Sequence, residues 1–239
     1  MFTLDEINTH KSEYVKYSKN NIPMITNVIY DLTNGTMGQV NSCNITSDDV
    51  VLHLNPELFT YNSKYQIAVL WHEFTHIYDK LNYDIDPKYN SNYTKTISEI
   101  RATMYEMRFL LGMKSYDKIL YDTSKKIYFM NYHPTIESVI IYYDTCCKNY
   151  FEKLKVDLSP YNFNNGFNNF MYLCGIVKLT YHDKDFLISK IKTYPAEYHP
   201  FLNKTIESIY NNNDVEVCNI YNDFKIYIAI REFLDSIVS

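Results

Sequence analysis

Apolar residues recur at alternating steps of three and four along two stretches of the chain. The first set is Ile67, Leu70, Phe74, Ile77 and Leu81; the second is Ile97, Ile100, Met104, Met107 and Leu111. That spacing places each set on one side of an α-helix, facing a core. Thr94 precedes the second helix and Gly112 gives it a stop. The segment between them, Asn82 to Asn92, is polar and carries Pro87, so it is expected to be a loop. Upstream the period changes. Leu4 to Tyr17 is weakly helical, whereas Pro23 to Leu32 and Val50 to Leu54 are short and rich in β-branched residues, as strands are. Asn34-Gly35 marks a turn between these two runs, with Gly38 shortly after it.

Beyond residue 112 the pattern is mostly helical. Asn162 to Asn169, where asparagines crowd round Gly166, is expected to be a loop. Glu216 to Val238 reads as an amphipathic helix packed on the body. Tyr132-His133-Pro134 recurs as Tyr198-His199-Pro200, and proline suits the first turn of a helix, so both read as helix starts. The expected fold is α+β and mostly α-helical. Residues 1–112 form a core with a small N-terminal β-sheet and two helices, and residues 113–239 form a helical C-terminal region packed on it.

Composition narrows the function classes. The 239 residues are 46% hydrophobic and 21% charged, the balance of a globular protein with a sizeable core. Net charge is -5 with no basic stripe, which argues against a nucleic-acid partner. No apolar run reaches the length of a membrane span, and the first 20 residues lack the apolar stretch of a signal peptide. The five cysteines (Cys43, Cys146, Cys147, Cys174, Cys218) are odd in number and form no C-x-x-C, as expected of free thiols in a cytoplasmic protein. Tyrosine occurs 25 times, so any single tyrosine carries little information.

The candidate chemistry lies on the first helix, in His72-Glu73-Phe74-Thr75-His76. Two histidines four residues apart rise one turn on one side of a helix, and both imidazoles can reach one metal ion. Glu73 lies about 100° round the helix from His72, beside the metal, where it can take a proton from a metal-bound water. A catalytic zinc keeps three protein ligands and an open position for water, so a third ligand must come from elsewhere. Glu99, on the polar side of the second helix, is the leading candidate, and Ala102 one turn on allows two antiparallel helices to approach. Glu106, Asp84 and Asp86 compete with it, and His133 and Glu137 are more distant competitors. Asp79, two turns after His72 on its side of the helix, is a candidate to orient that imidazole.

Val50 to Leu54, His72-Glu73-x-x-His76 and Glu99-x-x-Ala102 together resemble the gluzincin metallopeptidases. Within them the pattern is most similar to the ImmA/IrrE-like zinc peptidases of phages and mobile elements. The resemblance spans roughly residues 48 to 112. It implies a zincin-like core, a zinc ion on His72, His76 and Glu99, and Glu73 as general base in hydrolysis of a specific protein or peptide. It also implies a strand beside the active helix whose free edge pairs with substrate, with Val50 to Leu54 as the candidate. The oxyanion would take a further donor from the C-terminal half, with Tyr132 and His133 as candidates. The competing class is a non-enzymatic helical binding module that retains a metal site; such a module has no need of Glu73, which favours the enzyme.

Overall fold

The computed structural model describes residues 1–32, 37–40, 49–84, 86–89, 92–112, 122–180 and 183–238. The Asn34-Gly35 turn and Cys43 lie outside them. Eight α-helices and one three-stranded sheet make up the described chain: α1 (Leu4–Ser18), β1 (Asn27–Ile29), β2 (Gly38–Val40), β3 (Val51–Leu54), α2 (Ser63–Asp79), α3 (Ile97–Leu110), α4 (Ile136–Leu154), α5 (Pro160–Thr180), α6 (Lys184–Ile191), α7 (His199–Tyr210) and α8 (Asp214–Val238). The fold is α+β and mostly α-helical, as expected. None of the described helices is long and apolar enough to cross a membrane.

The centre of the fold is α2. Its stripe residues Leu70, Phe74 and Ile77 are fully buried, but so are Ala68 and Thr75, and Val69, Trp71, Glu73 and Asp79 are buried with them. From Ala68 to Ile77 every residue of the helix is therefore buried. On one side α1 supplies Tyr14, whose ring packs against Trp71, Phe74 and Tyr105 and whose hydroxyl bonds Thr75 Oγ1 at 3.1 Å. On another side the sheet lies across it. Asn62 caps the N-terminus, its side chain accepting from Lys64 N–H. The C-terminal end of α2 is clamped to α3. Asp79, fully buried, pairs with Arg101 Nη1 at 3.0 Å, and the same guanidinium donates to Tyr93 Oη and stacks over Tyr78 and Tyr83.

The sheet order is β1-β3-β2, with β1 parallel and β2 antiparallel to β3. This corrects the role expected for Val50 to Leu54. That strand is central and hydrogen-bonded on both sides, so it has no edge to offer; β2 is the strand that lies against α2. The run Pro23 to Leu32 yields only the short strand β1. Asn8 of α1 holds Ile25 through both its backbone groups, at 2.9 and 3.0 Å, and so diverts the chain before the ladder begins.

Of the two expected loops, the first holds short helical turns among its described residues and the second is helix. After α2 the chain continues as a π-turn over Lys80–Asp84 and a 3-10 turn over Pro87–Tyr89, where Tyr83, Tyr89 and Tyr93 pack on one another. The asparagine-rich run 162–169 lies inside α5. Phe163, Phe167 and Phe170 form a buried stripe there, and that burial outweighs the poor helix propensity of Asn and Gly. Gly166 lets α5 approach Phe151 of α4. The repeated Tyr-His-Pro triplets both lie at helix starts. Pro200 sits in the first turn of α7, whereas Pro134 precedes Thr135, the residue that caps α4. In α8 the first half is buried through Val217, Tyr221 and Phe224, whereas Ile230, Phe233 and Ile237 of the second half are exposed.

Gly175 of α5 meets α3 so closely that an added Cβ would stand 2.8 Å from the Ile100 carbonyl oxygen and 3.1 Å from Thr103 Cβ. Backbone cannot give way there. Gly175→Ala is expected to lower unfolding stability by about 1–2 kcal/mol, the overpacking cost less what alanine gains in a helix. Denaturant titration checks this, and a stability at or above wild type would show that Gly175 does not set the α3–α5 spacing.

Candidate metal centre

Helices α2 and α3 cross where His72, His76 and Glu99 lie, and the three side chains converge. Glu99 Oε2 is 3.3 Å from His72 Nε2 and 3.5 Å from His76 Nε2. Both imidazoles therefore turn the same nitrogen to one point. Their other nitrogens are fixed from behind. His72 Nδ1 donates to Glu106 Oε2 at 3.0 Å, and His76 Nδ1 shares a 2.8 Å hydrogen bond with Ser98 Oγ. Orienting partners of this kind set the ring angle and the tautomer of a ligand histidine.

Burial makes these contacts matter. His72 and His76 are each 9% exposed, and Glu73, Glu106 and Ser98 are buried. Burial alone would lower the His72 pKa, but the hydrogen bond with Glu106 and the nearby charge of Glu106 and Glu99 outweigh it and hold His72 well above its ordinary value. Burial would raise Glu99; the positive charge of His76 and the contacts with His72 overcome it and hold that carboxyl far below its usual range. For Glu73 burial prevails over the two histidines and its carboxyl is pushed up. A buried carboxylate tuned upward suits a proton acceptor working near neutral pH.

Glu99 Oε2 is buried and no hydrogen bond reaches it among the described residues. The contacts to the two histidines are close enough for charge but miss hydrogen-bond geometry. A buried carboxylate oxygen facing two imidazole nitrogens, without a hydrogen bond of its own, is the donor set a small divalent cation takes. Glu73 is the competing carboxylate, since the ligating atoms of His72, Glu73 and His76 all lie within 4.8 Å of one another. A single oxygen of Glu99 faces both Nε2 atoms. Glu73 is held to one side by β2, where a Cβ on Gly38 would meet Glu73 Cγ at 2.6 Å and Oε1 at 2.8 Å. Only glycine lets the strand lie this close.

The remaining candidates separate. Glu106 lies behind His72, against Nδ1 and away from the point the Nε2 atoms face, in the place expected of Asp79. Asp79 instead pairs with Arg101. Asp86 pairs with Lys88 at 3.3 Å. The Asp84 side chain lies outside the described residues. Glu137 is exposed on the first turn of α4. Tyr132 is 71% exposed and His133 stacks on Tyr128; neither lines the cleft. The phenol at the centre is Tyr172 of α5. Its ring meets His72 edge-on with centroids 5.8 Å apart, and burial together with the charges of Glu99, Glu106 and Glu73 holds its pKa well above the usual range. Nothing in the sequence marks Tyr172 among 25 tyrosines. Ser98 had a signal, lying one residue before Glu99. Gly38 had a weaker one, beside the expected turn.

Around this centre opens a cleft of about 790 Å³ between β2, α2 and α3 on one side and α4 and α5 on the other. Among known proteins, no family model matches the chain, and no curated protein or solved structure gives a significant match.

The pKa directions set the pH dependence of stability in protein without bound metal. His72 is raised above 6.5, so its contribution to stability is complete below that pH and is lost as pH rises through its elevated value. Glu99 is lowered below 4.5, so its contribution is present above that pH and lost on acidification; Glu73 runs the opposite way with a smaller shift. Unfolding stability should decline from pH 6.5 upward, and Glu106→Gln should flatten that limb. Denaturant titration across pH decides it, and an alkaline limb unchanged in the variant would show that Glu106 does not hold the His72 proton.

Proposed function

We propose that this protein is a zinc-dependent peptidase with a zincin-like core, as the resemblance to gluzincins implies. The observation that carries this reading is the convergence of two buried imidazole nitrogens on one oxygen of Glu99 that no hydrogen bond reaches among the described residues, with the Glu73 carboxylate alongside. His72, His76 and Glu99 would hold the ion, and Glu106 and Ser98 would keep the two rings aimed at it. Bound there, zinc supplies a Lewis acid for a substrate carbonyl and lowers the pKa of a water to about 7.

The other steps belong to the chain. Glu73, with its raised pKa, accepts the proton of the attacking water and returns it to the departing amine. Gly38 keeps that carboxylate from swinging away, because β2 lies directly over it. Tyr172, a neutral phenol at working pH, donates a hydrogen bond to the developing oxyanion. The partial burial of the centre strengthens each of these interactions by lowering the local dielectric.

Elemental mass spectrometry of purified protein should find near one zinc per chain, lost in His76→Ala and Glu99→Ala. Glu73→Gln should retain the metal while turnover falls by about 100-fold or more. Wild type that stays metal-free when zinc is supplied would overturn the reading. Metal without hydrolysis of any peptide would leave a metal-bearing binding module.

Tyr172→Phe removes one hydroxyl and keeps the ring. It should lower kcat by about 100-fold with little change in KM or metal content, the behaviour of a donor that acts in the transition state. Steady-state kinetics check this, and an unchanged kcat would take Tyr172 out of the chemistry.

A further inference from the structure

The two ends of the cleft differ chemically, and the difference bears on what it accepts. Toward the N-terminus of α2 from His72, the wall is apolar: Val69 and Tyr65 of α2, Met37 beside β2, Phe129 and Met130, and Tyr143 of α4. The rings of Tyr65, Phe129 and Tyr143 pack edge to face, with centroids 5.5 and 6.1 Å apart along the row. The backbone fixes this end, because Met130 carbonyl accepts from Asn62 N–H at 3.2 Å and Asn131 donates to Thr60 carbonyl at 3.1 Å. The Phe129–Tyr132 turn is thereby docked on the start of α2.

Toward the C-terminus, past His76, the wall carries Lys80, Thr94 and the exposed Lys95. The positive charge of Lys80 is felt at Glu73. The carboxylates that line the cleft, Glu73, Glu99 and Glu106, are gathered at the histidines. Across the cleft α5 contributes Asn165 and Asn169, which each donate an amide N–H to their own helix, at 2.8 and 2.7 Å. This end of the α2 wall therefore carries two lysines.

The two ends lie on opposite sides of the metal-facing histidines. Val69 and Lys80 are about 16 Å apart along the helix axis, which an extended chain covers in about five residues. The β2 backbone at Gly38 and Gln39 borders the same groove and offers an unpaired strand edge, among the described residues, for an extended chain.

We propose that the cleft selects an extended peptide with a bulky apolar side chain on one side of the metal-facing histidines and an acidic side chain about five residues away on the other. Cleavage of the bound peptide rests on the peptidase reading, but the selection itself does not require turnover. Dye-labelled peptides pairing Phe or Ser at the first position with Glu or Lys at the second, in both chain directions, test it by fluorescence anisotropy on zinc-loaded Glu73→Gln protein. The Phe–Glu peptide in one direction should bind tightest, with Glu preferred over Lys by about three- to tenfold. Added salt should narrow the Glu preference and leave the Phe preference standing. Lys95→Glu should reverse the Glu-over-Lys order at unchanged metal content. Equal binding of Glu and Lys peptides, or of Phe and Ser peptides, would overturn the proposal, as would no binding at all. Selective binding without cleavage by wild type would support the selection and remove the peptidase reading. Indiscriminate cleavage would do the reverse.

Discussion

Burying ionisable groups is costly unless each is paired, and that constraint governs this molecule. Helix α2 is buried from Ala68 to Ile77, yet it carries His72, Glu73, His76 and Asp79 inward. Each is answered by a residue of another element: Glu106 and Ser98 of α3 for the two histidines, Arg101 for Asp79, and the close passage of β2 for Glu73. Three of these four answers come from α3. The crossing of α2 and α3 is thus fixed by polar complementarity at both ends, with the apolar stripes filling the space between. A helix pair held only by Leu and Ile contacts could slide by a turn. One held at Asp79–Arg101 and again at His72–Glu106 cannot slide without leaving buried charge unpaired.

That arrangement separates two tasks that one carboxylate type performs. Glu99 and Glu106 lie two turns apart on α3 and face opposite nitrogens of the same imidazole. Glu99 gains from positive charge in front of it and is held strongly ionised. Glu106 accepts the ring proton behind. For Glu73, on the neighbouring helix, burial outweighs the charges of the two histidines, and its carboxyl is tuned the other way. Environment, not residue type, sets the three carboxyls apart.

Much of the centre was legible in the sequence because it is local. The spacing of His72, Glu73 and His76 is a statement about one helix turn, and the alternating three-four pattern shows that the turn exists. Glu99 was legible one step further out, as the polar face of the next amphipathic helix. What escaped the sequence was long-range. Whether Asp79 or Glu106 backs His72 depends on the α2–α3 crossing, which no spacing specifies. Val50 to Leu54 reads as a strand, but its position at the centre of the sheet depends on two partners far away in the chain. The run 162–169 was misleading for another reason. Its local composition favours a loop, and only tertiary burial of Phe163, Phe167 and Phe170 turns it into helix. The same cause hid Tyr172, which matters solely because α5 packs against α3 at Gly175.

The walls of the cleft come from opposite halves of the chain, with α2 and α3 before residue 112 and α4 and α5 after it. During synthesis the histidines and Glu99 emerge long before the wall that carries Tyr172. Because α5 must be complete before it can dock on α3, the enclosed cleft requires the later half of the chain. Any reactivity that depends on an enclosed centre is withheld from the cell until most of the polypeptide has been made, a safeguard that arises from chain order alone.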